Sequence, residues 1–396
     1  MKIKNVSTLL LKAPLAEKRF YSSQCAFPAR KSLLVRVETD SGLVGWGECG
    51  QYGPGEPVAA FVHKVLAPWL LGKNPLDIAV LWEGMFAMVR DYGRKCTGME
   101  AISGLDIALW DIAGKFYDQA IYQLLGGAFR RRVRAYATGC YYREEDFRDS
   151  KASLAALDEE AKRIVDSGFS ILKGKIGALA LEEDAERVQA VRQAVGPKTV
   201  LMMDCNHAYN ARVARRMGRI LESFDVLIME EPVVPEDLDG YALLRSSLEI
   251  GIAGGENEYT RYGFLECFRR GCLDVAQPDV CCAGGITELK RIEALATAHH
   301  VQMMPHVWGS AVALAAALQL NATLAPSPHT ALPKAMMNEP MIEFDQSANP
   351  LRDEVVAEPF RLEGGCLIVP QGPGLGIEID PEGLRQYLDS ETECCL

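Results

Sequence analysis

An α/β barrel of parallel strands, carrying a separate α+β cap, is the fold class that the sequence predicts. Three observations carry it. From about Ala135 to Phe344, short apolar strands (RAYATG, FSILKGKIG, TVLMMDCN, DVLIMEEP, GIAGGE, DVAQPD, VQMMPH) alternate with amphipathic helices such as LEEDAERVQAVRQAVG and ITELKRIEALATAHH, the texture of parallel strands joined by return helices. Asp204, Glu230 and Glu256 each close an apolar run, and they follow one another at equal intervals of 26 residues. That interval fits one strand, a helix and two short loops. At 396 residues the chain exceeds one core of ordinary size, so two domains are expected.

The cap is expected from residues 1–133. It opens with strand-like IKNVSTLLLKA and KSLLVRVETDSGLVGWGEC, where Asp40, Ser41 and Gly42 supply a hairpin turn. Helical periodicity follows in EPVAAFVHKVLAPWLLG and in AISGLDIALWDIAGKFYDQAIYQLLGG, read as one run ended by Gly126 and Gly127. Residues 134–350 form the barrel, and 351–396 a C-terminal segment returning to the cap with strand-like stretches. GPGLG near its end is expected to be a turn before a strand, not a phosphate loop.

Composition narrows the function class. A net charge of −11 with no basic stripe argues against a nucleic-acid partner. No apolar run reaches spanning length, so no membrane partner is expected, and the opening MKIKNVSTLLLKAPL reads as a strand rather than a signal peptide. The twelve Cys fall mid-element or in adjacent pairs without a CxxC spacing, which suits reduced thiols in a cytoplasm better than disulfides or zinc.

If the strands are neighbours, Asp204, Glu230 and Glu256 converge at the carboxyl-end rim. Three carboxylates there repel one another unless a hard divalent cation lies between them, and all-oxygen ligands suit Mg²⁺. Lys173 and Lys175 lie two apart on the preceding strand and so point the same way. Lys175 precedes Asp204 by 29 residues, one unit earlier at the same rim. A lysine beside a cation and a second lysine is expected to favour its neutral form, as a general base needs. Asp279 and His306, 27 residues apart, would occupy the next two strand ends, where a carboxylate orients and charges an imidazole. The ring order thus sets a lysine and a histidine across the mouth with the cation between them. That suits removal of a proton next to a carboxylate. Loss of a carboxylate or base would point to a non-catalytic binding protein; none is missing.

The stretches LKGKIG, MDCNHAYN, MEEP, GGEN, QPD and MPHVWG, in that order, together with ISGLDIALWDIAGK, resemble the mandelate racemase subgroup of the enolase superfamily. The resemblance implies a (β/α)₇β modified TIM barrel, an α+β cap whose mobile loops near 16–31 and 48–56 close over substrate, and a homo-oligomer. It implies that Asp204, Glu230 and Glu256 bind Mg²⁺, that Lys175 and the His306/Asp279 dyad are the acid/base groups, that Lys173 touches the substrate carboxylate and that Asn206 lies close to substrate. RAYATG, MEEPVVPE, PHVWG, EPMIEFD and GPGLGIEI are most similar to the galactarolactone cycloisomerases, which implies an acid-sugar lactone as the small-molecule substrate and a 3-deoxy-2-keto acid as product. Acid-sugar dehydratases and racemases share the same rim and stay open as alternatives. Glu339 is preferred over Glu343 as an eighth-strand carboxylate, His207 is a candidate for substrate hydroxyls, and Arg19, Arg30 and Lys31 could meet a distal carboxylate.

Overall fold

The computed structural model describes residues 1–15, 19–50, 52–334 and 338–396. Eight strands form the barrel: Arg132–Thr138, Ile171–Lys175, Val200–Asp204, Val226–Glu230, Gly251–Gly254, Val275–Ala276, Gln302–Met303 and Met341–Asp345. Each of the first seven is followed by a helix of ten residues or more, from Leu154–Asp166 to Ala311–Thr323. The parallel ladder runs from the seventh strand back to the first, which also pairs with the eighth. This is the expected (β/α)₇β arrangement.

A layer of apolar side chains plugs the interior. Tyr136, Ile171, Met202, Ile228, Ala253, Val275, Met304 and Met341 pack together, one from each barrel strand or its immediate end. Because side chains alternate along a strand, the residue two further on returns to the interior, one layer nearer the mouth. Those residues include Thr138, Lys173, Asp204, Glu230, Gln277, His306 and Glu343. The polar site therefore sits directly on the apolar plug.

The cap sheet is antiparallel and ordered Leu388–Cys395, Ile3–Pro14, Ala29–Thr39, Val44–Cys49, so the end of the chain does pair with its beginning. Helix Thr97–Tyr117 lies flat on the last of these strands. A Cβ added at Gly47 would come 1.9 Å from the Gly104 carbonyl oxygen, so the GWG pattern is what lets sheet and helix touch.

Three expectations change. The run from Ala101 to Gly127 is not one helix: it stops at Asp118, which takes a left-handed φ of 52°, and a short helix resumes at Ile121–Leu124. The helix from Glu56 contains a π segment at Val62–Leu66 ahead of Pro68, as befits a residue with no N–H to give. GPGLG is a turn, but the stretch after it makes only an isolated bridge at Ile379; the turn itself docks on the cap helix, with Ile121 N donating to Gly374 O at 3.0 Å. Of the strand-like stretches expected after residue 350, the hairpin Leu362–Ile368 pairs antiparallel with the first barrel strand and not with the cap.

Cap carboxylates fasten the domains together by accepting the free N–H groups that begin barrel helices. Glu48 accepts from Ser310 N (3.0 Å), Ala313 N (3.0 Å) and the hydroxyls of Ser32 and Ser310, at the start of a helix, Ala311–Thr323, that is buried on every side. Asp106 accepts from Thr287 N and Oγ1 at the start of Gly285–Ala298. Among the described residues, no helix is long and apolar enough to cross a membrane.

Glu48→Ala strands several buried donors and is expected to lower Tm by roughly 5–10 °C in calorimetry; an unchanged Tm would show that the cap docks by other means. Burial pushes the Asp106 carboxyl up from 3.8 to about 7, against the Thr287 hydrogen bonds that favour its ionised form. A carboxyl raised in the folded state contributes stability at low pH that is lost as pH rises from its unfolded value through its folded one. Asp106→Asn keeps an acceptor and does not titrate. Its stability relative to the wild type should therefore climb between about pH 4 and 7 and level off above.

Candidate active site

The parallel register brings the site together. Lys175 pairs in the ladder with Asp204, Asp204 with Glu230, and Glu230 with Ala253, three residues before Glu256. Asp204, Glu230 and Glu256 are all buried, and each offers an oxygen within 4.8 Å of the others. Octahedral ligand oxygens about 2.1 Å from Mg²⁺ lie about 3.0 Å apart when adjacent and about 4.2 Å apart when opposite, so the three carboxylates are near enough to close on one such ion by side-chain adjustment.

Charge balance calls for a cation. Six buried carboxylates, Asp204, Glu230, Glu231, Glu256, Asp279 and Glu343, surround three basic groups, Lys173, Lys175 and His306. Burial, only partly offset by Lys173 and reinforced by Asp204, pushes Glu230 up to about 7. Burial and the neighbouring Glu256 and Asp204 carboxylates raise Glu231 as well. A hard divalent ion among these oxygens relieves that repulsion, and the donor set is the oxygen-only kind that Mg²⁺ takes.

Lys173, 1% exposed, holds the centre: its ammonium donates to Glu230 at 2.6 Å and meets Glu343 at 3.1 Å and Asp204 at 3.9 Å. Burial lowers its pKa, yet Glu230 and Glu343 outweigh burial and raise it well above the usual lysine value. Lys175 donates to Asp204 and to Asn206 Oδ1 (3.0 Å) and lies 5.3 Å above the Tyr141 ring. Burial and Lys173 pull its pKa down, but Asp204 prevails and the protonated form is held. With no competing cation the carboxylate next door dominates; the neutral form expected beside a cation depends on that cation claiming Asp204.

His306 faces Lys175 across the carboxylates. Its Nδ1 lies 2.7 Å from Asp279 Oδ2, while Nε2 is 3.4 Å from Glu256 and 3.7 Å from Glu343. Burial lowers its pKa, but Glu256, the Asp279 hydrogen bond and Glu343 together carry it to about 10. Asp279 is fixed in turn by Cys281 N, at 2.6 Å.

Glu339 does not join this cluster. It precedes the eighth strand, at the amino end of a parallel barrel, where it meets Arg130 at 3.7 Å. The reason is direction: only the carboxyl ends converge at the mouth, and Glu343, two residues beyond Met341 of the plug, is the one that arrives. The sequence offered both residues, and alternation from Met341 selects Glu343 once Met341 is known to belong to the plug. Gln277, whose amide donates to Glu230 Oε2 at 2.6 Å, was missed for want of charge. Asn206 and His207 both line the mouth, because each takes a left-handed φ (43° and 50°) and the strand alternation that would part them has ended.

The mouth is a cavity of about 570 Å³ bounded below by Lys175, Glu256, His306 and Glu343 and above by the cap. The described part of the loop near 16–31 is seated on the barrel: Ser23 Oγ donates to Cys205 O (2.8 Å) and Gln24 Nε2 to Asn206 O (2.7 Å). Tyr52, from the second cap loop, lies 3.4 Å from His306 Nδ1. Residues 16–18 and 51 of the two loops expected to close over substrate lie outside the described residues. A second hollow, about 690 Å³, lies on the outside of Ala211–Ser223 among Arg212, Arg215 and Arg216, and holds none of these groups.

Two family models match the chain: "Mandelate racemase / muconate lactonizing enzyme, N-terminal domain" over residues 16–126 and "Enolase C-terminal domain-like" over residues 156–383. D-galactarolactone cycloisomerase from Agrobacterium fabrum is 42% identical over 387 residues, covering 98% of this chain and 99% of that protein. Arabinonate dehydratase from Saccharolobus solfataricus is 38% identical, covering 90% of each. A racemase from Streptomyces coelicolor, solved with bound magnesium, superposes with a TM-score of 0.85 at 31% identity, over 98% of this chain and 99% of that one. With both domains matched and the rim carboxylates in place, the chain belongs to the mandelate racemase/muconate lactonizing enzyme family of the enolase superfamily.

Proposed function

We propose that this protein is a Mg²⁺-dependent enzyme that removes the proton α to the carboxylate of an acid-sugar lactone and opens the ring by β-elimination, giving a 3-deoxy-2-keto diacid. The observation that carries the reading is the placement of Lys175 and His306 on opposite flanks of Asp204, Glu230 and Glu256. Those three carboxylates would hold the Mg²⁺, which when bound supplies positive charge to the substrate carboxylate as it gains electron density.

The chain's own groups divide the remaining work. Lys175 takes the α-proton. Engagement of Asp204 by a cation loosens its hold on the Lys175 ammonium, leaving burial and Lys173 to favour the neutral amine. Lys173 brings fixed positive charge to the buried end of the substrate carboxylate, and Asn206 orients Lys175. His306, kept in orientation by Asp279, can return or deliver a proton on the other face. Glu343 lies between Lys173 and His306 and ties the two flanks together.

A cyclic substrate is favoured by the walls of the cavity. Phe27, Tyr141 and Trp308, with Ala26 and Pro28, present broad apolar faces, which suit a ring better than an extended polyol that must satisfy every hydroxyl. The family resemblance to a lactone cycloisomerase points the same way. Dehydration of an open-chain acid sugar is the second reading, favoured by the charged form of His306, which could protonate a departing hydroxyl. A cytoplasmic location, supported by twelve free thiols, and homo-oligomeric assembly complete the proposal.

The two reactions differ in protons. Opening a lactone turns a monoanion into a dianion and releases one proton per keto acid formed; dehydrating an acid releases water and none. A pH-stat assay run beside keto-acid detection on lactones and free acids should show equal proton and keto-acid yields from the lactone. Keto acid from free acids alone, with no proton release, would replace cycloisomerase by dehydratase. Lys175→Ala should abolish exchange of the substrate α-proton with deuterated water and cut turnover by about 10²–10⁴-fold; retained exchange would remove Lys175 from the base role. Glu343→Gln should lower kcat severely, whereas Glu339→Gln, at the far end of the barrel, should leave it within about twofold.

A further inference from the structure

The mouth has a distal end that the acid/base machinery does not explain. Three cap cations could serve an anion there, and the structure separates them. Arg19 is paired with Glu144 and does not line the cavity. Arg30 is 3% exposed and spent: its guanidinium meets Asp345 and Ser347, donates from Nε to Ala348 O at 3.0 Å, and lies 4.1 Å above the Trp308 ring. Lys31, the next residue on the same strand, points to the opposite side by alternation. It is exposed and lines the cavity, and its ammonium has no ion pair or hydrogen bond to another described residue.

Leaving-group chemistry gives this cation a use. When the α C–H bond breaks, its proton goes to Lys175. The β C–O bond then breaks with its electron pair departing on the ring oxygen, and a carbon–carbon double bond forms. Because that oxygen is acylated, it departs as a carboxylate, a weak base that needs no proton but is stabilised by positive charge. The resulting enol gains a proton at the β carbon and loses its hydroxyl proton, giving the ketone and one proton released overall. We infer that Lys31 receives the carboxylate set free as the lactone ring opens, and so makes the site selective for products and ligands with a second carboxylate. This rests on the lactone reading above.

The test compares Kd values by calorimetry in excess Mg²⁺ for galactarate, a diacid, and galactonate, the matching monoacid. The wild type should bind the diacid about tenfold more tightly. Lys31→Gln should erase that preference by weakening the diacid alone, Lys31→Arg should restore it, and Lys31→Gln should lower kcat on the lactone while α-proton exchange persists. An equal effect of Lys31→Gln on both acids, or no effect on either, overturns the assignment. A wild type that forms no keto acid from any lactone sinks the cycloisomerase reading instead, and the two-acid comparison still decides on Lys31.

Discussion

Everything at the mouth of this barrel is arranged around an excess of buried negative charge. Asp204, Glu230, Glu256 and Glu343 could not share so small a space on their own, because burial and mutual repulsion both oppose their ionisation. Lys173 is the internal answer. From the second strand it reaches acids on the fourth and eighth, with 1% of its surface exposed. Removing one partner from so buried a cluster typically costs about 3–5 kcal/mol, so the lysine fixes geometry as well as charge. The residual negative charge is what makes the site a cation trap.

The floor beneath explains why the cluster holds its shape. Eight apolar side chains, one per strand or strand end, fill the barrel below it, and Lys173, Asp204, Glu230, His306 and Glu343 each sit one alternation above a plug residue. The charged layer thus has dry, packed material on one side and the cap on the other. Low dielectric strengthens every pair named here. The cap is held by the same physics: Glu48 and Asp106 satisfy the open ends of barrel helices and so fasten the cap to the barrel at two helix starts.

Much of this was legible beforehand, and for a definite reason. Parallel strands joined by return helices repeat at nearly constant length, so residues one period apart in sequence stand side by side at the rim; the equal spacing of Asp204, Glu230 and Glu256 could be read as proximity. Glu339 misled because spacing says nothing about which end of a strand a residue occupies. Alternation from Met341 to Glu343 contained the answer, but only once the plug was known. The pairing of the hairpin Leu362–Ile368 with the first barrel strand joins segments distant in sequence and had no local mark, whereas the helix break at Asp118 is closed locally, with Gln119 N donating to Gly114 O.

The sequence by itself determined the barrel, the metal-type triad, the flanking Lys175 and His306 and the family, because strand periodicity turns fixed spacing into fixed position. Tertiary structure alone decided which cations are spent and which acids share one pocket: Arg30 is consumed by Asp345 and Trp308, while Lys31 beside it is paired with none of the described residues. Those outcomes depend on which side chains from distant segments are near enough to compete for the same charge, and no interval along the chain encodes that.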